Sequence, residues 1–513
     1  MKRRLLSVFI TPRHVKFYSC RFLSFFGNHA GAVDYRYPLR MESRPPVYQR
    51  AYFDNNRRWK SAPYKGNSSA TSRSGRERFE FTLMSYNILA QDLLDGHAFL
   101  YANNNPHALP WPQRYERLIA EINAVHPDIL CVQELQQDHV DMFWTGLASF
   151  DYALLYKKRT GGEKTDGCAV FYRRNLFDLV THHEVEYFQP NVNKLNRENV
   201  AIIAKLALKS NPRTNLVVST THLLYNPRRQ DVRLAQIQVL LAELDRFAYS
   251  GKLPNGIPQY HPVILCGDFN LQPHSAPYRL LTEGYLRYDQ LSARTLEPEN
   301  HSFGESTGKH FLPHSLGITD GCQHDTLKDR GQTHRDSTVP PSDATKLYHS
   351  NYVSFCNPSP SPEAGSSELN GTVGSSELNE SSASPSHEEM AGKKGSPKQE
   401  FSTGSLSHRF VFNSAYRQEP GKSASKQSQG QQTATTFQDE WITVDYMFYT
   451  PFRSVAECNR TLPNWNLELL GTYALPTVEQ CSWQIGHIPN MFYGSDHFSL
   501  AARFALTTPT EKP

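Results

Sequence analysis

None of the eight cysteines in this 513-residue chain forms a Cys-x-x-Cys pair, and no Cys/His cluster has zinc-ligand spacing. A structural zinc is therefore not expected. No apolar run approaches the roughly 18 residues that a membrane-spanning helix needs, so no membrane span is expected either. Acidic residues are absent ahead of Asp34, whereas Lys2, Arg3, Arg4, Arg13, Lys16 and Arg21 all precede it. The apolar run Leu5 to Ile10 is short and is followed by Thr11-Pro12-Arg13. That makes a poor secretory signal but fits a mitochondrial transit peptide, and a disordered basic tail fits equally well. Apolar content is low, at 38%, so sizeable unstructured segments are expected. The net charge of +4 decides nothing about partners. Cys131, Cys168 and Cys266 sit inside apolar, strand-like runs, where a free thiol is a small buried hydrophobe. This usage fits a reducing intracellular compartment: cytoplasm, mitochondrion or nucleus.

Three regions follow from composition. Residues 1–76 are a basic leader without sustained periodicity. Residues 77–507 form the ordered domain. Within it, residues 300–405 form a Ser/Pro/Gly-rich insertion in which "GSSELN" occurs twice, too poor in large apolar groups to offset its ordering entropy. In the ordered part, "FEFTLMSYNIL" reads as a strand ending at Asn87. Leu118, Ile119, Ile122 and Val125 recur at helical spacing and Pro127 stops that helix. Ile129 to Val132 is a strand delivering Glu134. "DGCAVFYRR", "ENVAIIAKLAL" and "NLVVSTTHLL" are further strands. Asn226 and Pro227 read as N-cap and first position of a long helix with apolar residues on one stripe. "HPVILCGDFN" is a buried strand ending on Asp268 and Asn270. The alternation of strands and helices, with polar residues at strand ends, predicts a mixed α/β domain whose chemistry gathers on one rim.

The strand-end residues are weak signals singly. Asn87 alone is a turn residue. Glu134, ending a buried strand, must be solvated, paired or metal-bound. Asp268 and Asn270, two apart on an extended segment, face one way and suit water activation and phosphoryl binding; an Asx turn is the bland account. His222 alone reads as a core histidine. Asp445 lies in an apolar strand and needs a partner, which His497 can provide. Asp496 beside it is a second hard oxygen donor, suited to magnesium. Jointly, five strand ends carry residues fit for phosphate or metal work.

"MSYNILAQD", "CVQEL", "DGCAVFYRR", "THLLYNPRR", "GDFN", "VDYMFY" and "SDH" occur in the order seen in the endonuclease/exonuclease/phosphatase superfamily, which the chain resembles over about residues 79–300 and 405–507. Within it, "LNRENVA" and "THLLYNPRR" most resemble the Angel group, beside the carbon-catabolite-repressor-type deadenylases and nocturnin. The resemblance implies a deoxyribonuclease-I-like fold, a two-layered β-sandwich flanked by helices. It also implies one or two magnesium ions, with Glu134 as principal ligand supported by Asn87 and Asp496. Asp268 then positions the attacking water with Asn270 beside it, His222 and His497 flank the scissile phosphate, and Asp445 orients His497. Asn199 falls at a substrate-side position.

Lys157, Lys158, Arg159, Arg173, Arg174, Arg228, Arg229 and Arg233 are expected around the site, and basic residues there suit a polyanion. Arg228 and Arg229, in the first turn of the long helix, would meet phosphate where backbone N–H groups already favour anions. The expected substrate is an RNA 3′ end, and the Angel-like motifs favour hydrolysis of a terminal 2′,3′-cyclic phosphate; poly(A) shortening is the alternative. A non-catalytic protein that binds RNA or a translation factor belongs to another class. The intact Glu134, Asp268, Asn270 and His497 argue against it. No leucine-rich repeats precede the domain, so docking of the kind they give some deadenylases is not expected. The insertion's Ser-Pro sites suit docking to translation or RNA-processing partners, or an idle loop.

Overall fold

The computed structural model describes residues 57–62, 78–252, 256, 258–298, 302–307, 309–327, 402, 404–417, 432–451 and 467–507. The expectations for residues 1–56 and for the insertion between 328 and 401 lie outside the described residues.

Two sheets carry the fold. The strands are β1 (Trp59–Ser61), β2 (Arg78–Asn87), β3 (Ile129–Gln136), β4 (Tyr152–Lys158), β5 (Asp166–Arg173), β6 (Phe177–Glu186), β7 (Val200–Leu208), β8 (Asn211–His222), β9 (Val263–Asp268), β10 (Asn413–Ser414), β11 (Asp445–Tyr449), β12 (Leu467–Tyr473) and β13 (Leu500–Thr507). One sheet has the order β1-β12-β13-β2-β3-β5-β4 and the other β10-β11-β9-β8-β7-β6. Ile129 to Gln136 and Val263 to Asp268 are buried at every position, as central strands covered on both faces must be. Inward side chains of the two sheets, among them Cys131, Cys168, Cys266, Ile202, Val218 and Phe504, form one shared core. The cysteines at 131, 168, 266, 322 and 481 are unpaired and buried.

Helix α1 (Trp111–Val125) covers the outer face of the first sheet. It ends where His126 turns left-handed (φ +55°), one residue before Pro127. Helix α2 (Gln230–Ala248) covers the second sheet. This is the two-layered sandwich with external helices that the sequence resemblance implies.

Four local expectations differ from the structure. The first concerns the leader. Trp59–Ser61 pairs with Gly471–Tyr473 at the edge of the first sheet, so part of the leader belongs to the fold; three residues are too few to show a period. Second, residues 309–327 are folded against the domain rather than an unstructured start to the insertion, with Phe311, Leu312, Ile318 and Cys322 in the core beside α2. Third, and for the same reason, α2 is buried nearly all round instead of along one stripe. Its Gln238, Asp245 and Glu243 bond to Thr319, Gln323 and His324. A polar helix face looks solvent-facing in sequence, but here another segment supplies its hydrogen bonds. Fourth, α2 begins at Gln230, not at Asn226–Pro227. Asn226 Oδ1 accepts from the Arg228 amide and Asn226 O from the Arg229 amide, closing a turn ahead of the helix.

Among the described residues, no helix is long and apolar enough to cross a membrane.

Candidate active site

Strand register gathers the site. In the second sheet Val200 pairs with His222, His222 with Asp268, and Asp268 with Asp445. One row across four strands thus places two carboxylates and an imidazole on one rim. In the first sheet Asn87 pairs with Gln133, and the β3 ladder is irregular between Val132 and Leu135. Glu134 sits in that irregularity with φ +60°. A bulge re-aims a side chain that an even strand would send elsewhere. Leu89 and Asn270 are also left-handed, at φ +58° and +52°, so uncommon backbone clusters at the same rim.

The side chains meet across the sheets. The Asn87 amide donates to Glu134 Oε1 at 2.8 Å and to Asp268 Oδ2 at 3.1 Å, while its own oxygen accepts from the Leu89 amide. Asn87 therefore aligns two carboxylates from different sheets. The Ala90 amide donates to Glu134 Oε2. His222 Nε2 lies 3.6 Å from Asp268 Oδ2 and 3.9 Å from Glu134 Oε1, and its Nδ1 is buried without a partner. His497 Nδ1 bonds Asp445 Oδ2 at 2.8 Å, which turns Nε2 toward Asp268 at 3.9 Å and Asp496 at 4.0 Å.

Charge is concentrated here. Burial, together with Asp496 and Asp166, pushes Glu134 up to about 7. Burial and Asp445 push Asp268 up to about 6. Burial lowers His222 despite Asp268. For His497 burial is outweighed by Asp445, Asp496 and Asp268, which hold it well above the ordinary histidine range. Glu134, His222 and Asp268 offer ligand atoms within 4.8 Å of one another, as do Asp268, Asp445 and His497. Two buried carboxylates that resist ionisation together, beside a neutral imidazole, fit a divalent cation by donor chemistry.

Several expected site residues stand differently. Asp496 is in neither three-residue group; its Oδ2 accepts from the Tyr101 hydroxyl at 2.8 Å. Asn270 does not share an extended segment with Asp268. Its amide donates to Asp268 Oδ1 and its side chain to Leu223 O, so an Asx turn ends the strand. Asn199, next to the register partner of His222, is buried with Oδ1 accepting from Gln236. Arg228 is exposed ahead of α2, and Arg229 donates through Nε and Nη2 to the two carboxylate oxygens of Asp231.

The other basic residues are mostly committed. Lys157 pairs with Glu184 and Glu186, Arg159 with Asp166, Arg173 with Asp128 and Arg174 with Asp151. Arg173 is at the end of β5 away from Asp166, so it and Arg174 lie far along the strand from the rim. Lys158 donates to the Gly161 and Lys164 carbonyls, and Arg233 is buried on the carbonyls of residues 224–226.

Other residues join the site without having been singled out. Ser495 donates to Asn87 O at 2.6 Å and accepts from the His497 amide; its place in "SDH" was the available signal. Gln133 donates to Ser85 within its own sheet and across to Thr220 on the second sheet. Tyr101 had no signal, being a lone tyrosine at the end of a short 3-10 helix.

Residues 84–497 match the Endonuclease/Exonuclease/phosphatase family. Human protein angel homolog 1 is 32% identical over 483 residues, covering 90% of this chain and 68% of its own. Drosophila melanogaster protein angel is 41% identical over 233 residues, 44% of this chain and 62% of its own. A crystal structure of ANGEL2, a 2′,3′-cyclic phosphatase, in complex with adenosine-2′,3′-vanadate, is similar at 28% identity and a TM-score of 0.60, covering 88% of this chain and 98% of that one. With the fold, the paired carboxylates and the Asp–His pair in place, this chain belongs to the endonuclease/exonuclease/phosphatase family.

Proposed function

We propose that the chain is a magnesium-dependent phosphoesterase that hydrolyses 2′,3′-cyclic phosphate at RNA 3′ ends. The observation that carries this reading is the juxtaposition of Glu134, Asp268, His222 and His497 at one rim, in a chain similar over most of its length to a 2′,3′-cyclic phosphatase.

Glu134 and Asp268 would hold the cation, with Asn87 keeping both carboxylates aligned. The bound cation supplies Lewis-acid stabilisation of charge on phosphoryl oxygen. Asp268, with one oxygen fixed by the Asn270 amide, orients the attacking water. His497, cationic beside Asp445, stabilises negative charge growing on the phosphoryl oxygens and can hand a proton to the departing ribose oxygen. His222 faces the same phosphate from β8. Attack forms a bond from water oxygen to phosphorus and breaks one P–O bond to the ribose, leaving a phosphomonoester and one free hydroxyl, and a second hydrolysis breaks the remaining P–O bond to release inorganic phosphate and the cis-diol. Asp496 borders this pocket beside His497. Arg228, exposed ahead of α2, is available to the substrate, Asn199 would support that side only through Gln236, and Arg229, neutralised by Asp231, contributes less.

The test compares RNA ending in 2′,3′-cyclic phosphate with the same RNA ending in a hydroxyl-terminated poly(A) tract. Both are incubated with magnesium or with chelator, using wild type and Glu134→Ala. Metal-dependent loss of the cyclic phosphate alone, absent in the variant, is the expected result. Shortening of poly(A) instead would make the chain a deadenylase, and inactivity on both would move it to another phosphoester or to a binding role.

A further inference from the structure

Arg57 lies in the leader by sequence but is 1% exposed. Its Nε donates to Ala474 O at 2.7 Å, Nη1 to Glu121 Oε1 at 3.2 Å and Nη2 to Ser499 O at 2.5 Å. The guanidinium also lies 4.5 Å from the Tyr473 ring centroid and 5.8 Å from that of Phe498. Glu121, on α1, accepts from the Ser499 hydroxyl at 2.6 Å and from the Tyr86 hydroxyl at 2.8 Å.

These contacts have a direction. Tyr86 precedes Asn87, which aligns the two carboxylates. Phe498 and Ser499 follow His497. On the other side of His497, Ser495 is bonded to the Asn87 carbonyl. The backbone presenting His497 is therefore held by Ser495 before it and by the Arg57–Glu121 pair after it. A buried ion pair is a weak source of net stability, since desolvation cancels much of its attraction. Its forked, directional bonds are better suited to fixing geometry.

We propose that Arg57 is a positioning residue: acting with Glu121 on Ser499, it fixes the backbone that carries His497. The segment around it is then a working part of the site, and any proteolytic removal of the leader must stop short of Arg57 for full activity. The kinetic part of this inference rests on the phosphoesterase reading; the structural part does not.

The test uses the full chain carrying Arg57→Ala, Arg57→Lys or Ser499→Ala. Hydrogen exchange of the His497 and Phe498 amides needs no turnover. Arg57→Ala is expected to speed exchange there about tenfold or more relative to the central β7 and β8 amides. Unchanged exchange, or a uniform rise everywhere, would overturn the proposal. Should Arg57→Ala not fold, Ser499→Ala, which removes only the hydroxyl bond to Glu121, carries the same measurement. Kinetically, Arg57→Ala is expected to lower kcat about tenfold to a hundredfold with KM nearly unchanged, and Arg57→Lys to recover part of it. In a His497→Ala background the Arg57→Ala effect is expected to shrink to about twofold or less. An equal loss in both backgrounds would also overturn it. Wild-type inactivity on cyclic-phosphate RNA would count against the substrate reading alone, because the exchange result still decides the positioning role.

Discussion

His497 Nδ1 stands 2.8 Å from Asp445 Oδ2, a contact that joins residues 52 positions apart. The bond fixes which ring nitrogen faces the pocket, because the nitrogen bound to Asp445 cannot also serve the substrate. Asp445→Asn keeps the shape but removes the charge and offers the ring an N–H instead of an acceptor. We expect kcat to fall about a hundredfold or more with little change in KM. Steady-state kinetics on cyclic-phosphate RNA checks this, and a loss of only about twofold would place His497 outside the chemistry.

The raised carboxylates link metal binding to pH. Burial and the neighbouring carboxylates push Glu134 up to about 7 and Asp268 up to about 6, from ordinary values of 4.5 and 3.8. As pH rises through that window the unfolded chain ionises first, so the metal-free protein loses stability. A cation that favours the ionised pair reverses the loss. Magnesium should therefore raise Tm more above about pH 7 than below about 4.5. Scanning calorimetry with magnesium or chelator across this range measures it; equal shifts at both ends would contradict the assignment of the cation to this pair.

Gly267 precedes Asp268 with φ +137°, and a Cβ there would collide with the carbonyl oxygen of Thr221 on β8. Gly267→Ala must distort the register that places Asp268 beside His222. A destabilisation of about 2–4 kcal/mol is expected in urea unfolding, with activity lost even where the variant folds. A variant with wild-type midpoint and activity would show that the strand end tolerates the shift.

Glu243 marks a purely structural cluster on α2. Burial opposes its ionisation, but the hydrogen bond from His324 and the charges of Arg246 and His183 outweigh it and hold Glu243 at about 2. Its folded-state value is depressed, so its contribution is present above about 4.5 and is lost as pH falls toward 2. Glu243→Gln should lower stability at neutral pH and flatten the acid limb across that window, leaving kcat unaltered. Acid denaturation curves for both proteins provide the comparison; parallel limbs would mean the cluster does not stabilise the fold.

Much of the site was legible because its residues end apolar strands. Glu134, His222 and Asp268 fall at or near the ends of the apolar strands that run through Ile129–Val132, Leu216–Val218 and Val263–Cys266, and a polar group closing such a strand has to sit at a sheet rim. The ordered motifs then indicate the family. Asn270 was misread as extended because an Asx turn and a strand end look alike in a tetrapeptide. Asn226–Pro227 was misread as a helix start because a turn uses the same residues as an N-cap. Most of the basic residues expected around the site are bonded to acids or carbonyls, since charge in a sequence does not reveal the partner beside it.

The sequence by itself determined the alternation of elements, the buried central strands and the types of side chain at their ends. These depend on hydrophobic period and local backbone preference, which neighbouring residues set. Only the tertiary structure decided which ends meet: Asn87 with Glu134 and Asp268, His497 with Asp445, and Arg57 with Glu121 and Ser499. Those contacts depend on strand order, on the bulge at Glu134 and on burial that makes every unpaired polar atom costly. None of these is a property of a local stretch of chain.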